Sequence, residues 1–356
     1  MKASTQAHRE RAWVEVDLTK LVQNARTAIA AARGARLLPM VKANAYGLGA
    51  VPVVRALEAL DPWGYGVATT VEGVELRAAG VSRPIVVFTP ARAELEATYR
   101  EHDLRAVLDD PALAARWPLP FHVEIDTGMG RAGIRWDAAD RLAQVASPRL
   151  EGVFTHFHSA DADPASVRAQ WTRFASAMRS VPRPGLVHAA NSAGVWRLDE
   201  RLDLVRPGVF LYGGRAGEGL PQPAPVATLR ARVVSTRRIP AGEPVSYGAE
   251  WHASRDTWVA TLGIGYADGV PRAVAGRATV VLGERRVPLV GRVTMDMLMV
   301  DAGPARDTAP RVGDVATLFG GDGPGAIALD EFAGWAGTIS YETLTRLGPR
   351  VVREYH

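Results

Sequence analysis

Between residues 36 and 213 the sequence returns eight times to a short apolar run. These are RLLPMVKA (36–43), WGYGVAT (63–69), PIVVFTP (84–90), RAVLDD (105–110), FHVEIDT (121–127), LEGVFTHF (150–157), LVHAANS (186–192) and LVRPGVFLYG (204–213). Runs this short and continuous read as strands covered on both faces, the pattern of a parallel sheet. Between most of them lie stretches such as VPVVRALEAL (51–60), VEGVELRAAG (71–80), DAADRLAQVA (137–146) and ASVRAQWTRFASAMRS (165–180). Their apolar residues recur every three or four positions, as in amphipathic helices. Eight strands alternating with helices over about 200 residues match the arithmetic of a (β/α)8 barrel. A doubly wound open sheet uses the same units, but eight evenly spaced runs favour the barrel.

At GEGLPQPAPV (217–226) the composition turns to Pro and Gly, the mark of a linker. Beyond it, strand-like runs follow one another without helices: ATLRARVVSTRRI (227–239), EPVSYG (243–248), TWVATLGIGY (257–266), RATVVLG (277–283), RRVPLVG (285–291), MLMVDAG (297–303) and DVATLFG (314–320). Helical patterns return only at LDEFAGWAG (329–337) and YETLTRL (341–347). The expected architecture is therefore α/β, an N-terminal (β/α)8 TIM barrel over residues 1–222 followed by a mostly-β C-terminal domain over 223–356. The first residues are free to join the β domain.

Barrels carry their chemistry at the C-terminal ends of strands. Lys42 closes the first run, and DTGMGRAG with Arg131 follows the fifth. His156 and His158 close the sixth, Asn191 and Ser192 the seventh, and Arg206-Pro207-Gly208 lies in the eighth. Lysine differs from arginine in one decisive respect: its amine can lose a proton when desolvated, and only a neutral amine forms a Schiff base. The ends of strands seven and eight are where barrels build phosphate sites from backbone N–H groups, small hydroxyls and glycine, and ANSAG and RPGV supply those parts. A Schiff-base lysine and a phosphate cradle at one barrel mouth suggest pyridoxal phosphate.

Taken in order, VKANAYGLG, DTGMGRAG, FTHF, HAANSAG, VRPGVFLYG, VSYG, IGYADG, GRVTMD and TISYE resemble the alanine racemases, fold-type III pyridoxal-phosphate enzymes, over nearly the whole chain. The resemblance implies a homodimer with shared active sites, two-base racemisation of L- and D-alanine, and D-alanine supply for peptidoglycan. It assigns Lys42 to the cofactor and to one face of the substrate, and Tyr247 of the partner subunit to the other. His156 is the implied helper of Tyr247. Tyr46, Ser192, Gly208, Val209 and Tyr341 are implied around the cofactor phosphate, with Asn191 and His156 also at the cofactor. Arg206, supported by His188, is implied at the pyridine nitrogen, and Arg131 with the Met295 N–H at the substrate carboxylate. Tyr266, Asp161, Arg272 and Arg292 match the family's substrate-access lining.

The chain departs from that pattern at several places. Where many members have a lysine that becomes carbamylated, this sequence has Glu124. His122, Glu124 and Asp126 share one strand face by period-two alternation, so Glu124 is expected inside the barrel, with Arg131 as its cation. Leu48 replaces a common histidine, Thr294 a common cysteine, and Met297 a frequent glutamine.

Other classes of function are weaker. A net charge of +4 with no run of five like charges argues against nucleic acid as a partner. The absence of cysteine excludes disulfides, thiolate nucleophiles and cysteine-ligated zinc. A metal-dependent barrel hydrolase could use His156, His158, Asp161 and His188, but an HxH pair at a strand end is common and no second ligand pair is present; no metal is expected. A racemase of broader substrate range and a non-catalytic pyridoxal-phosphate carrier are the remaining alternatives. With no apolar leader and no run of eighteen apolar residues, a cytoplasmic location without membrane contact is expected.

Overall fold

The computed structural model describes residues 9–181, 185–323 and 325–356. They divide into two compact units: residues 22–211 with 215–223, and residues 9–21 with 212–214 and 224–356.

The first unit is an eight-stranded parallel barrel. Its strands are β2 (Arg36–Leu37), β3 (Tyr65–Val67), β4 (Ile85–Pro90), β5 (Leu104–Leu108), β6 (Phe121–Asp126), β8 (Leu150–Phe154), β9 (Leu186–His188) and β10 (Leu204–Val205), and β7 (Ile134–Arg135) pairs beside β6. The order runs β2-β10-β9-β8-β6-β5-β4-β3. A parallel bridge from Met40 to Gly66, with Val41 N–H donating to Gly66 O at 2.8 Å, closes the circle. Each strand begins within one of the eight apolar runs or one residue before it. Several are only two or three residues long, because each run spends its second half turning toward the barrel mouth. Leu38, Val86, Val107, Phe154, Leu186 and Leu204, with Trp63 and Phe88 packed against them, form part of the interior.

Local chemistry sets the helix ends. Leu18–Ala31 buries Leu21, Ala25 and Ala28 on one stripe, Asp17 accepts from the Lys20 N–H at 2.9 Å, and Gly34 at φ 88° ends the run. Thr70–Ala78 starts with a capping box, Thr69 bonded to the Glu72 N–H and Glu72 to the Thr69 N–H. Pro164–Ala177 is capped by Asp163 with proline at its first position.

The second unit is mostly antiparallel. Its strands are β1 (Ala12–Val16), β11 (Ala227–Ile239), β14 (Thr257–Leu262), β15 (Thr279–Leu282), β16 (Arg285–Val290), β17 (Leu298–Pro304), β18 (Val315–Phe319) and β19 (Val352–Tyr355), with a separate hairpin of β12 (Pro244–Val245) and β13 (Trp251–His252). The thirteen-residue β11 pairs β1 and β18 along its first half and β14 along its second, shifting register between Val233 and Ser235. That double pairing closes β14-β17-β16-β15-β18-β11 into a barrel. β1 and β19, from opposite ends of the chain, extend it as a parallel pair. Lys20 is held by Asp322 at 2.8 Å. No helix among the described residues is long and apolar enough to cross a membrane.

Candidate active site

At the C-terminal mouth of the parallel barrel a cavity of about 630 Å³ is lined by Lys42, Phe88, Glu124 and Arg131, with the loops after β4 and β5. Lys42 does not extend a strand. It opens a turn in which Ala43, Asn44, Ala45 and Tyr46 all have φ between 52° and 55°, one turn of left-handed helix. Such a turn is unfavourable for residues with a Cβ by roughly 1–2 kcal/mol each, so its surroundings must hold it. Glu72 does so: its carboxylate accepts from the Ala43 N–H at 2.6 Å and the Ala68 N–H at 2.7 Å while completing its own helix cap. The Asn44 carboxamide oxygen accepts from the Ala50 N–H at 2.7 Å. Burial, then the nearby Arg131 and Arg206 charges, lower the Lys42 amine below its ordinary range against the opposing Glu72 charge. The result is a partly desolvated amine on a turn that its neighbours hold.

Arg206 is the second anchor. Its guanidinium is almost wholly buried, donates to Thr155 O at 2.9 Å and to His188 Nδ1 at 2.8 Å, and lies 5.1 Å from the Phe154 ring. Burial brings it down to about 10, so it stays charged at neutral pH. Among the described residues no carboxylate lies within 4.0 Å of it. His156, half-buried near Arg206, Arg131 and Lys42, is pushed down to about 3, first by loss of solvent and then by those charges; its imidazole is neutral. The mouth is thus positive overall, suited to an anionic ligand.

Glu124 points into the barrel from β6 and is buried, as the alternation predicts. The expected ion pair is looser than contact: Glu124 and Arg131 both line the cavity, yet no bond of 4.0 Å or less joins them. Burial raises the Glu124 carboxyl, and the Arg131 charge is the largest influence pulling it back. Asp126 shapes the loop between them, accepting from the Gly128 and Gly130 N–H groups at 2.9 and 3.0 Å. Gly133, at φ +98°, lets the loop return against β6, since a Cβ there would fall 2.9 Å from Glu124 O.

The residues after β9 and β10 fit a phosphate. Ser192 Oγ accepts from the Gly208 N–H at 2.8 Å, and the Val209 N–H donates to nothing among the described residues. A Cβ on Gly208 would fall 2.2 Å from the Tyr46 hydroxyl, so only glycine lets that phenol close over the loop. Asn191 lies in the same loop as Ser192. Its side chain donates to Phe157 O and accepts from the Gly194 N–H, bracing the loop that presents Ser192.

The remaining candidates lie in the β unit, apart from Asp161 in the barrel unit. Tyr247 is not in a strand: β12 ends at Val245, Ser246 takes φ 72°, and Tyr247 begins a 3-10 turn, 70% exposed. Thr294 bonds both the Met297 N–H and Met297 O through its hydroxyl, closing a loop on which the Met295 N–H has no acceptor among the described residues. Tyr266 and Ala267 are stitched to that loop by N–H bonds of 3.0 Å to Thr294 O and Met295 O. Arg292 pairs with Glu250, Arg272 opens a short 3-10 turn, and Tyr341 lies in the first turn of helix Ser340–Thr345. Glu72 escaped the sequence reading, although the Thr69–Glu72 spacing is a capping-box signature; Thr294, noted there as a departure from the family, closes the loop that carries Met295. The alternative metal set is dispersed: His158 bonds Ser159, His188 bonds Arg206 and His122, and no group of three or more metal-binding side chains occurs among the described residues.

Known proteins with these features are consistent in kind. The family model described as alanine racemase, N-terminal domain, matches residues 16–216, and the corresponding C-terminal domain model matches 226–355. An alanine racemase of Carboxydothermus hydrogenoformans is 37% identical, covering 96% of this chain and 99% of its own; one of Deinococcus radiodurans is 42% identical, covering 92% and 94%. The crystal structure of alanine racemase from E. faecalis aligns with a TM-score of 0.90 at 32% identity, over 98% of this chain and 99% of that one. That from Bartonella henselae, with covalently bound pyridoxal phosphate, aligns at 0.89 and 29% identity over 97% and 99%. With both domain models matched in order and relatives of this identity covering nearly its full length, the chain belongs to the alanine racemase family.

Proposed function

We propose that this protein is a pyridoxal-5′-phosphate-dependent alanine racemase interconverting L-alanine and D-alanine. One observation carries the reading: a desolvated lysine amine, a buried arginine without a carboxylate and a phosphate-fitting loop meet in one barrel mouth. Tyr46, Ser192, Gly208 and Val209 would hold the phosphate and Lys42 the carbonyl carbon, with Tyr341 completing the phosphate site. The bound cofactor supplies an electron-withdrawing ring conjugated to the substrate nitrogen, which acidifies the substrate Cα–H.

Lys42, freed when the substrate amine takes its place at that carbon, would exchange a proton at Cα on one face, and Tyr247 of a second subunit would do so on the other. Neutral His156 would orient the Tyr247 hydroxyl by a hydrogen bond. Arg206 can only donate, so it disfavours a proton on the pyridine nitrogen and weakens the ring as an electron sink. That bias favours returning the proton to Cα over transamination. Arg131 and the Met295 N–H would hold the substrate carboxylate, and Tyr266 would line its approach.

The homodimer is part of this proposal. Exposed Tyr247, Met295 and Met297 give one unit an apolar surface of the kind that partners cover. Cytoplasmic location and D-alanine supply for peptidoglycan follow from the same reading. The test is D-alanine formation from L-alanine by purified protein with pyridoxal phosphate, with L-serine run alongside for substrate breadth. Turnover that Lys42→Ala abolishes is expected; cofactor uptake without turnover would replace the racemase reading with a carrier.

A further inference from the structure

The buried guanidinium of Arg206 does not end at His188. His188 Nε2 lies 2.8 Å from His122 Nδ1, and His122 Nε2 lies 3.3 Å from Glu151 Oε2. Both imidazoles are fully buried, whereas Glu151 reaches partial exposure near the start of β8 and has Arg105 Nε at 3.5 Å. The chain therefore runs through the barrel from its N-terminal mouth to the active-site mouth.

Its direction follows from the ends. Arginine has no acceptor, so His188 Nδ1 must receive its hydrogen bond. His188 then carries its proton on Nε2 and donates to His122 Nδ1. His122 in turn carries its proton on Nε2 and donates to Glu151, an obligate acceptor when ionised. An obligate donor at one end and an obligate acceptor at the other leave one arrangement of two neutral rings that satisfies every atom, with all the bonds polarised the same way. The barrel is shaped to admit this chain. A Cβ on Gly152 would fall 2.5 Å from His122 Nδ1, and Phe154 stacks on His188 with ring centroids 4.8 Å apart.

We propose that Glu151 is a positioning residue for Arg206, acting from the opposite mouth of the barrel through His122 and His188. The inference rests on the racemase reading only where Arg206 faces the cofactor ring; the hydrogen-bond chain belongs to the protein itself. Removing the Glu151 acceptor should weaken the His188–Arg206 bond and loosen the guanidinium. The ring nitrogen would then become easier to protonate.

The test compares wild type, Glu151→Met and Glu151→Gln, with Gly152→Ala as a second interruption that keeps Glu151. Nitrogen-15 NMR of labelled histidines should place the proton on Nε2 of both His122 and His188 in wild type, and show a weaker His188 bond in E151M and G152A. In the holoenzyme, E151M should raise the ratio of transamination to racemisation about fivefold, the effect of weakening one charge-assisted hydrogen bond. E151Q, whose amide oxygen can still accept, should lie close to wild type. An E151M protein that melts earlier but keeps the wild-type histidine signals and product ratio would overturn the proposal. So would Nδ1 protonation of His188 in wild type. Failure of wild type to take up pyridoxal phosphate would strike the functional reading instead, while the NMR comparison still decides this one.

Discussion

Glu124 stands inside a barrel where burial alone would favour its neutral form, and the Arg131 charge is what most opposes that. A side chain with a permanent carboxyl needs no carbon dioxide to acquire its charge, so racemase activity should be the same in bicarbonate-free and bicarbonate-supplemented buffer. Stimulation by bicarbonate would contradict this role. The sign of its stability effect is also set. A carboxyl raised in the folded state contributes stability below its unfolded value, and that contribution is lost as pH rises through the folded value. Glu124→Gln, without cofactor, should therefore melt at pH 8 no earlier than wild type, while in the holoenzyme the KM for alanine rises about tenfold because Arg131 loses the carboxylate charge that helps to hold it in place. Glu72 makes the opposite case, since two loops depend on one carboxylate. Glu72→Ala should lose about 1 kcal/mol of cap energy in chemical denaturation. It should also slow trapping of pyridoxal phosphate on Lys42 far more than an exposed Glu→Ala control does.

At the scale of elements, legibility follows burial. The eight barrel strands could be read because a strand covered on both faces must be apolar throughout, and that leaves an unbroken run. β1 and β19 could not: AWVEV and VREY are short, and β1 finds its partners in β11 and β19, both distant in sequence, while β19 pairs with β1. The same limit hid the Glu151–His122–His188 chain, assembled by register across β6, β8 and β9, none of it adjacent in sequence. Lys42 and Arg206 were legible through their motifs, but the left-handed turn that aims Lys42 was not. Ala43 and Ala45 carry no local signal for positive φ, and the conformation is imposed by Glu72 and the closing bridge at Met40. Gly208 joins two of these elements. Gly208→Ala should drive the Tyr46 hydroxyl aside and raise the dissociation constant for pyridoxal phosphate. Adding Tyr46→Phe should recover thermal stability lost to that clash but not the affinity, because the 2.2 Å approach involves the hydroxyl that also serves the phosphate.

For the molecule as a whole, acid is the predictable stress. His122, His156 and His188 are all lowered by burial, His156 to about 3. An imidazole buried neutral contributes stability above its unfolded value near 6.5, and that stability drains as pH falls toward the folded value. Urea denaturation should therefore show a lower midpoint at about pH 4.5 than at about pH 7.5. Replacing His156 with Gln should flatten that difference; an unchanged slope would mean that other groups govern it.

The arrangement of the amines has one more consequence. Lysine occurs only at positions 2, 20 and 42 of this arginine-rich chain. A protease specific for lysine therefore writes a very short map, with one fragment spanning 21–42 and the next 43–356. Reductive coupling of any carbonyl compound to the half-buried Lys42 amine erases the cut between them after denaturation. Occupancy of the barrel mouth can then be counted as the disappearance of a single peptide, with no chromophore and no turnover required.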